Sequence, residues 1–82
     1  MEVILTPQAQ SHLIKLPESQ KKKILKKILI LEESPLSGKK LSGQLTSSRS
    51  LKAWPYRIIY YIDTEHKRIW ITSILHRQGV YK

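Results

Sequence analysis

The stretch from Leu51 to Tyr81 constrains the fold more than any other. It reads Leu-Lys-Ala-Trp-Pro-Tyr-Arg-Ile-Ile-Tyr-Tyr-Ile, then Asp63-Thr64-Glu65-His66-Lys67, then Arg-Ile-Trp-Ile-Thr-Ser-Ile-Leu-His-Arg-Gln-Gly-Val-Tyr. Two runs rich in β-branched and aromatic side chains flank a short polar turn, which predicts strand–turn–strand. An antiparallel hairpin brings the two ends together: Lys52, Tyr56 and Arg57 before the first run, His76, Arg77 and Tyr81 after the second. Alternation puts Arg57, Ile59 and Tyr61 on one face, and Tyr56, Ile58, Tyr60 and Ile62 on the other. In the last strand it predicts Ile69, Ile71, Ser73 and Leu75 on one face, opposite Trp70, Thr72, Ile74 and His76. Neither strand alternates cleanly between apolar and polar. Both faces therefore need partial cover, helices on one and a partner or ligand on the other.

The rest of the chain supplies those helices. Glu2-Val3-Ile4-Leu5-Thr6 is β-prone and reads as a first strand. Thr6-Pro7 is a helix start, with Thr at the N-cap and Pro at the first helical position. Ala9, Leu13 and Leu16 recur at helical spacing, and Pro17 closes that helix and opens the next. A second helix to Glu33 carries Ile24, Leu25, Ile28, Leu29 and Leu31 as a wide apolar face, with Lys21, Lys22, Lys23, Lys26 and Lys27 as its solvated side. Ser34-Pro35 stops it, since a residue ahead of proline avoids the α region. Residues 35–48 read as a loop pinned to the core by Leu36, Leu41 and Leu45. A further strand runs from Arg49 to Ala53, and Trp54-Pro55 breaks it. The whole is one α+β domain over residues 1–82. It has two N-terminal helices, an αα-hairpin, packed on a small, mostly antiparallel four-stranded sheet in the order β-α-α-β-β-β.

Composition narrows the partners. Lys and Arg number 15 against 6 Asp and Glu, a formal charge of +9 on 82 residues. Residues 36–82 hold nine of the basic side chains, all four arginines among them, and two acidic ones. Such a field draws polyanions: RNA, DNA or an acidic surface. The chain lacks cysteine, so it has neither disulfide nor thiolate chemistry. The N-terminus has no basic n-region with a long apolar h-region, and no apolar run approaches a membrane span, which predicts a cytoplasmic protein with no membrane contact. No cofactor or metal site is expected.

Six short motifs in order carry a resemblance. Thr6-Pro7-Gln8-Ala9 with Leu13 and Leu16-Pro17, then Ile28, Leu31 and Pro35, then Lys40-Leu41-x-Gly43, lead to Leu51-Lys52-Ala53, Tyr56-Arg57-x-Ile59-Tyr60 and the terminal His76-Arg77-x-x-Val80-Tyr81. The pattern resembles the RelE/ParE superfamily of bacterial toxins from type II toxin–antitoxin modules, over nearly the whole chain. That resemblance implies an inhibitor of growth. RelE-like members cut mRNA in the ribosomal A site; ParE-like members share the fold and poison DNA gyrase. Both are neutralised by a cognate antitoxin, and the complex with it binds operator DNA in such modules.

RNA cleavage without a metal needs a base for the attacking 2′-OH, an acid for the leaving 5′-oxygen and cations at the phosphoryl oxygens. Arg57 and Arg77 suit the cation role, because a guanidinium meets two phosphate oxygens in a planar fork. Surface salt bridges are the alternative for both, and only Asp63 and Glu65 supply acids in this half. Imidazole is the acid or base suited to neutral pH, which makes His76 the candidate for proton transfer; a structural histidine at a strand end is the alternative. Tyr81 matches the family's terminal tyrosine, which the resemblance implicates in base stacking or proton transfer, and a packing aromatic is its alternative. Lys39, Lys40, Arg49 and Lys52 are candidate RNA contacts. His12 and His66 receive no role. The sequence departs from the best-known RelE members at Ser48 and Ser50, which stand where those carry lysines, and at Trp54-Pro55, which replaces a Gly-containing turn. The expected function is therefore a ribosome-dependent mRNA endonuclease, with a gyrase inhibitor that cuts nothing as the alternative. A member that only holds its antitoxin is the third possibility.

Overall fold

A computed structural model of the chain describes residues 1–40 and 48–77. Strand β1 (Glu2–Leu5) leads into α1 (Pro7–Ile14) and α2 (Glu18–Glu33). A 3₁₀ turn (Pro35–Ser37) follows, then β2 (Lys39–Lys40), β3 (Ser48–Ala53), β4 (Tyr56–Asp63) and β5 (Arg68–His76). The sheet runs β1-β5-β4-β3-β2, with β1 parallel to β5 and the other pairs antiparallel. The α+β class and element order follow the expectation, but the sheet has five strands where four were predicted. The extra strand, β2, is two lysines long and lies where a loop was expected. Lysines have little strand preference, and pairing with Ser50 and Arg49 makes the strand.

That pairing depends on a grip around Gly38. The buried Tyr60 hydroxyl accepts from the Gly38 N–H at 2.9 Å and donates to the Pro35 carbonyl at 2.7 Å. Arg49 Nη1 donates to the Gly38 carbonyl at 2.7 Å. A Cβ at position 38 would stand 2.6 Å from the Tyr60 hydroxyl and 2.9 Å from the Ser50 carbonyl, so only glycine fits. Burial pushes the Tyr60 phenol up, against the opposing pull of the Gly38 N–H and the Arg49 charge, which keeps it a donor.

Both helices cover one face of the sheet. Thr6 caps α1 as its sequence predicts: Oγ1 accepts from the Ala9 N–H at 3.2 Å, and Pro7 opens the helix. Ala9, Ile24, Ile28 and Leu31 pack with Ala53, Ile58, Tyr60, Ile69, Ile71 and Ile74 in a single core, with Leu13 and Leu16 against it. The buried face of α2 is narrower than predicted. Leu25 and Leu29 are 49% and 61% exposed, because the sheet meets only the Ile24–Ile28–Leu31 stripe. Leu36 is 69% exposed and pins nothing, and Leu41 and Leu45 lie outside the described residues.

The other correction concerns β5. Tyr60 pairs with Ile71 and Ile59 with Ser73, so Thr72 is an extra residue in the strand, a β-bulge. The bulge swaps the faces beyond it. Ile69 and Ile71 face the helices, and then Ile74 does so, in place of the Ser73 and Leu75 that simple alternation assigns. Helix α1 clips the irregularity. The Thr6 N–H donates to the Ile71 carbonyl at 3.0 Å, and the Thr6 hydroxyl donates to the Thr72 carbonyl at 3.3 Å. His12 Nδ1 accepts from the Ile74 N–H at 3.1 Å. Backbone groups of β5 at and beyond the end of its pairing with β1 thus find partners on α1 and its N-cap residue.

Candidate nucleic-acid interface

The face of the sheet away from the helices is polar at one end. Cross-strand pairing sets Lys39 beside Ser50, and Lys52 directly opposite Arg57. A cavity of about 390 Å³ opens there, lined by Ser37, Lys39, Lys40, Ser50, Leu51, Lys52 and Arg57. This lining holds four cations and no carboxylate. Like charges directly opposite across strands repel, and an anion between them lowers that cost. Two serine hydroxyls add neutral donors for anion oxygens. Asp63, one of the two acids in this half, is engaged elsewhere. Its carboxylate accepts from His66 Nδ1 at 2.9 Å, and that bond, first among the causes, holds its pKa below the ordinary carboxylate value.

The hairpin brings its ends together as expected, with Tyr56 beside His76 and Arg57 beside Leu75. The bulge divides the cluster between the faces. Arg57 belongs to the open face with Lys52, and His76 to the helix face with Tyr56, whose ring it meets edge-on at 5.3 Å and 88° between planes. His76 is exposed at the sheet end. The Arg77 N–H donates to the Pro55 carbonyl at 2.8 Å, and its guanidinium lies over the Trp54 ring, 4.6 Å from the centroid. Lys39, Lys40, Lys52 and Arg57 therefore share one cavity. Arg49 stands apart, bound to Gly38, and Tyr81 lies outside the described residues.

Sequence reasoning passed over Ser37 and Ser50 as lining groups, and over Trp54, read only as a strand breaker. An aromatic residue at a turn between two cationic strand ends was the available signal for Trp54. It also left His12 without a role; its bond to Ile74 depends on a bulge that no local pattern announces. Among the described residues no cluster of three or more His, Asp or Glu could hold a metal, and no helix is long and apolar enough to cross a membrane.

Comparison with known proteins places this architecture. The family model described as the ParE toxin of type II toxin–antitoxin systems, parDE, matches residues 3–81. No curated protein matches the chain. The toxin–antitoxin complex RelBE2 of Mycobacterium tuberculosis contains a chain of 32% identity and TM-score 0.85, with 93% of this chain and 96% of that one covered. A chain of the intact Escherichia coli RelBE complex shares the fold at 22% identity and TM-score 0.80, with 92% and 94% covered. A chain of the archaeal RelE–RelB complex of Pyrococcus horikoshii does so at 24% identity and TM-score 0.76, with 93% of each covered. With a cationic cavity on a sheet of this topology and a family match over nearly its whole length, the chain belongs to the ParE toxin family, within the RelE/ParE superfamily of type II toxin–antitoxin toxins.

Proposed function

We propose that this toxin is a ribosome-dependent mRNA endonuclease that acts in the cytoplasm and inhibits translation. The observation that carries the reading is the facing pair Lys52 and Arg57 in one cavity with Lys39 and Lys40. A scissile phosphate between those cations would meet positive charge on both sides as its own negative charge develops. In the cleavage, the substrate 2′-OH attacks the adjacent phosphorus, its proton passes to a base, and the P–O5′ bond breaks as an acid protonates the 5′-oxygen. Arg57, with Lys52, stabilises the phosphoryl oxygens, and Arg77 joins them from the sheet end. His76, exposed at the sheet end, and Tyr81, which the family resemblance implicates, are the candidates for proton transfer. Lys39 and Lys40 hold the flanking backbone.

A gyrase inhibitor is the second reading. Ser48 and Ser50, where RelE-like nucleases carry lysines, favour it, and so does the ParE description of the matching family model. Mapping mRNA 5′ ends on translating ribosomes after expression of the toxin separates the two. Cuts in the A-site codon support the nuclease. Intact mRNA with loss of plasmid supercoiling would establish the gyrase target instead.

The neutralising partner in this proposal is a cognate antitoxin, and the complex of the two binds operator DNA. The neighbour from Mycobacterium tuberculosis was solved as such a complex. Half-buried Ile4, Ile59, Tyr61, Trp70 and Leu75 on the open face offer apolar area to a partner. Co-expression with the product of an adjacent small reading frame should restore growth and yield a co-purifying complex. A toxin that no neighbouring product neutralises would contradict this part of the proposal.

A further inference from the structure

Trp54 occupies the turn between Lys52 on β3 and Arg57 on β4, and it is 57% exposed. It is the one aromatic among the exposed large hydrophobic side chains of the described residues. An exposed indole presents a large, rigid apolar face with a polar N–H at its edge. The turn that carries it is held from three sides. Lys23 Nζ, from α2, donates to the Trp54 carbonyl at 2.8 Å. The Arg77 N–H holds the Pro55 carbonyl at 2.8 Å. The Arg77 guanidinium, 4.6 Å from the ring centroid, covers one face of the indole. The exposed area therefore falls on the opposite face and the edges.

From these placements we infer that Trp54 is a stacking platform for one unpaired base of single-stranded RNA, backed by Arg77. The inference rests on the nucleic-acid reading of the neighbouring cavity. Trp54 lies two residues beyond Lys52, just past the end of β3, within about 7 Å of chain. A nucleotide whose phosphate sits between Lys52 and Arg57 carries its base toward the turn. A flat, fixed aromatic face takes any base, because every base has a π surface, and the guanidinium behind it adds cation–π polarisation. Its contribution is separate from that of the lysines: they read phosphate, and Trp54 reads the presence of an unstacked base. A duplex, with its bases stacked inside, has nothing to offer the ring.

The test uses the full-length protein and a short fluorescein-labelled single-stranded RNA, with binding read by anisotropy at several salt concentrations and indole emission read in the same titration. In the wild type, saturation with this RNA quenches tryptophan emission, and a duplex of the same length does not. Trp54→Leu weakens binding about tenfold, the size of one lost base stack, and leaves the salt slope unchanged. Trp54→Phe keeps most of the affinity, which also guards against a folding defect in the leucine variant. In a series of RNAs with a single abasic site at each position in turn, one binds wild type and Trp54→Leu equally. Equal affinity of wild type and Trp54→Leu for intact RNA overturns the inference and leaves the cavity reading standing. If Trp54→Leu binds RNA normally but loses toxicity, the inference is overturned and the indole belongs to a protein target. If the wild type binds no RNA at low salt, the nucleic-acid reading fails, and the inference with it.

Discussion

On the helix side of the sheet, Ile58, Tyr60, Ile69 and Ile71 are wholly buried, and polar groups beside them are paired: Tyr60 with Gly38 and Pro35, Thr6 with Thr72, His12 with Ile74. On the open side of the same strands, Lys39, Lys52 and Arg57 line a cavity without a carboxylate among its walls. Residues one position apart in β4, Arg57 and Ile58, thus obey different requirements. The helix face is apolar, and these polar groups find partners within the chain. The open face gathers positive charge at one cavity. Substitutions on the first should act through stability, and substitutions on the second through binding.

The largest effect belongs to the core. Ile58→Ala empties space enclosed by both layers and should cost about 2–5 kcal/mol. Small domains hold about 5–15 kcal/mol in all, so the urea midpoint should fall to a large fraction below wild type, and toxicity should fail because the protein unfolds. A midpoint near that of wild type would show that Ile58 is not a member of a closed core.

Next comes the Tyr60 grip. Tyr60→Phe leaves the Gly38 N–H and the Pro35 carbonyl without their partner and should cost about 1–3 kcal/mol. It also has a pH signature. Burial raises the folded-state phenol above tyrosine's ordinary value of 10.0, so its contribution is full below that value and is lost as pH rises through the raised one. The melting temperature of the wild type should therefore fall above about pH 10 more steeply than that of Tyr60→Phe. Parallel curves would show that the phenol titrates alike in both states.

The His12 clip is smaller. His12→Leu keeps the bulk of the ring and removes the acceptor for the Ile74 N–H, at about 1–2 kcal/mol. The bulge it serves assigns Ile74 to the core and His76 to the sheet end. Loss of the clip should therefore raise hydrogen exchange at the Ile74 amide before it affects the opposite edge at β2–β3. Uniform exchange across the sheet would deny His12 that local role.

How much of this was legible in the sequence follows from the range of each interaction. The Thr6-Pro7 cap, the end of α2 at Ser34-Pro35 and the β4–β5 hairpin depend on neighbours in the chain, and all three could be read from it. The Thr72 bulge depends on Thr6 and His12, some sixty residues away, so a period-of-two pattern misassigned Ser73, Ile74, Leu75 and His76. Strand β2 depends on Tyr60 and Arg49 gripping Gly38, and Lys39-Lys40 alone do not announce a strand. At the site, charge and order drew attention to Lys39, Lys40, Lys52 and Arg57, which one cavity joins. The same list included Arg49, whose bond to Gly38 gives it a place in the fold, because composition does not reveal which face a cation occupies. Trp54 was read through its proline, as an interruption, when its exposure and its contact with Arg77 were the informative facts.

The smallest stability effect is expected at Lys52, and there the contrast between the faces is sharpest. Its side chain is exposed and stands opposite Arg57, so Lys52→Ala removes a like-charge neighbour and no core contact. Its stability should stay within about 0.5 kcal/mol of wild type. Relief of the repulsion would move it upward if it moves at all. Affinity for single-stranded RNA should fall at every sequence, with the slope of log K against log salt reduced by about 1, the signature of one lost phosphate contact. Mutation to glutamine should behave like alanine, because the requirement is charge, and arginine should restore binding. If Lys52→Ala melts well below wild type while its salt slope is unchanged, the open face also serves the fold, and the division between the two sides of the sheet does not hold.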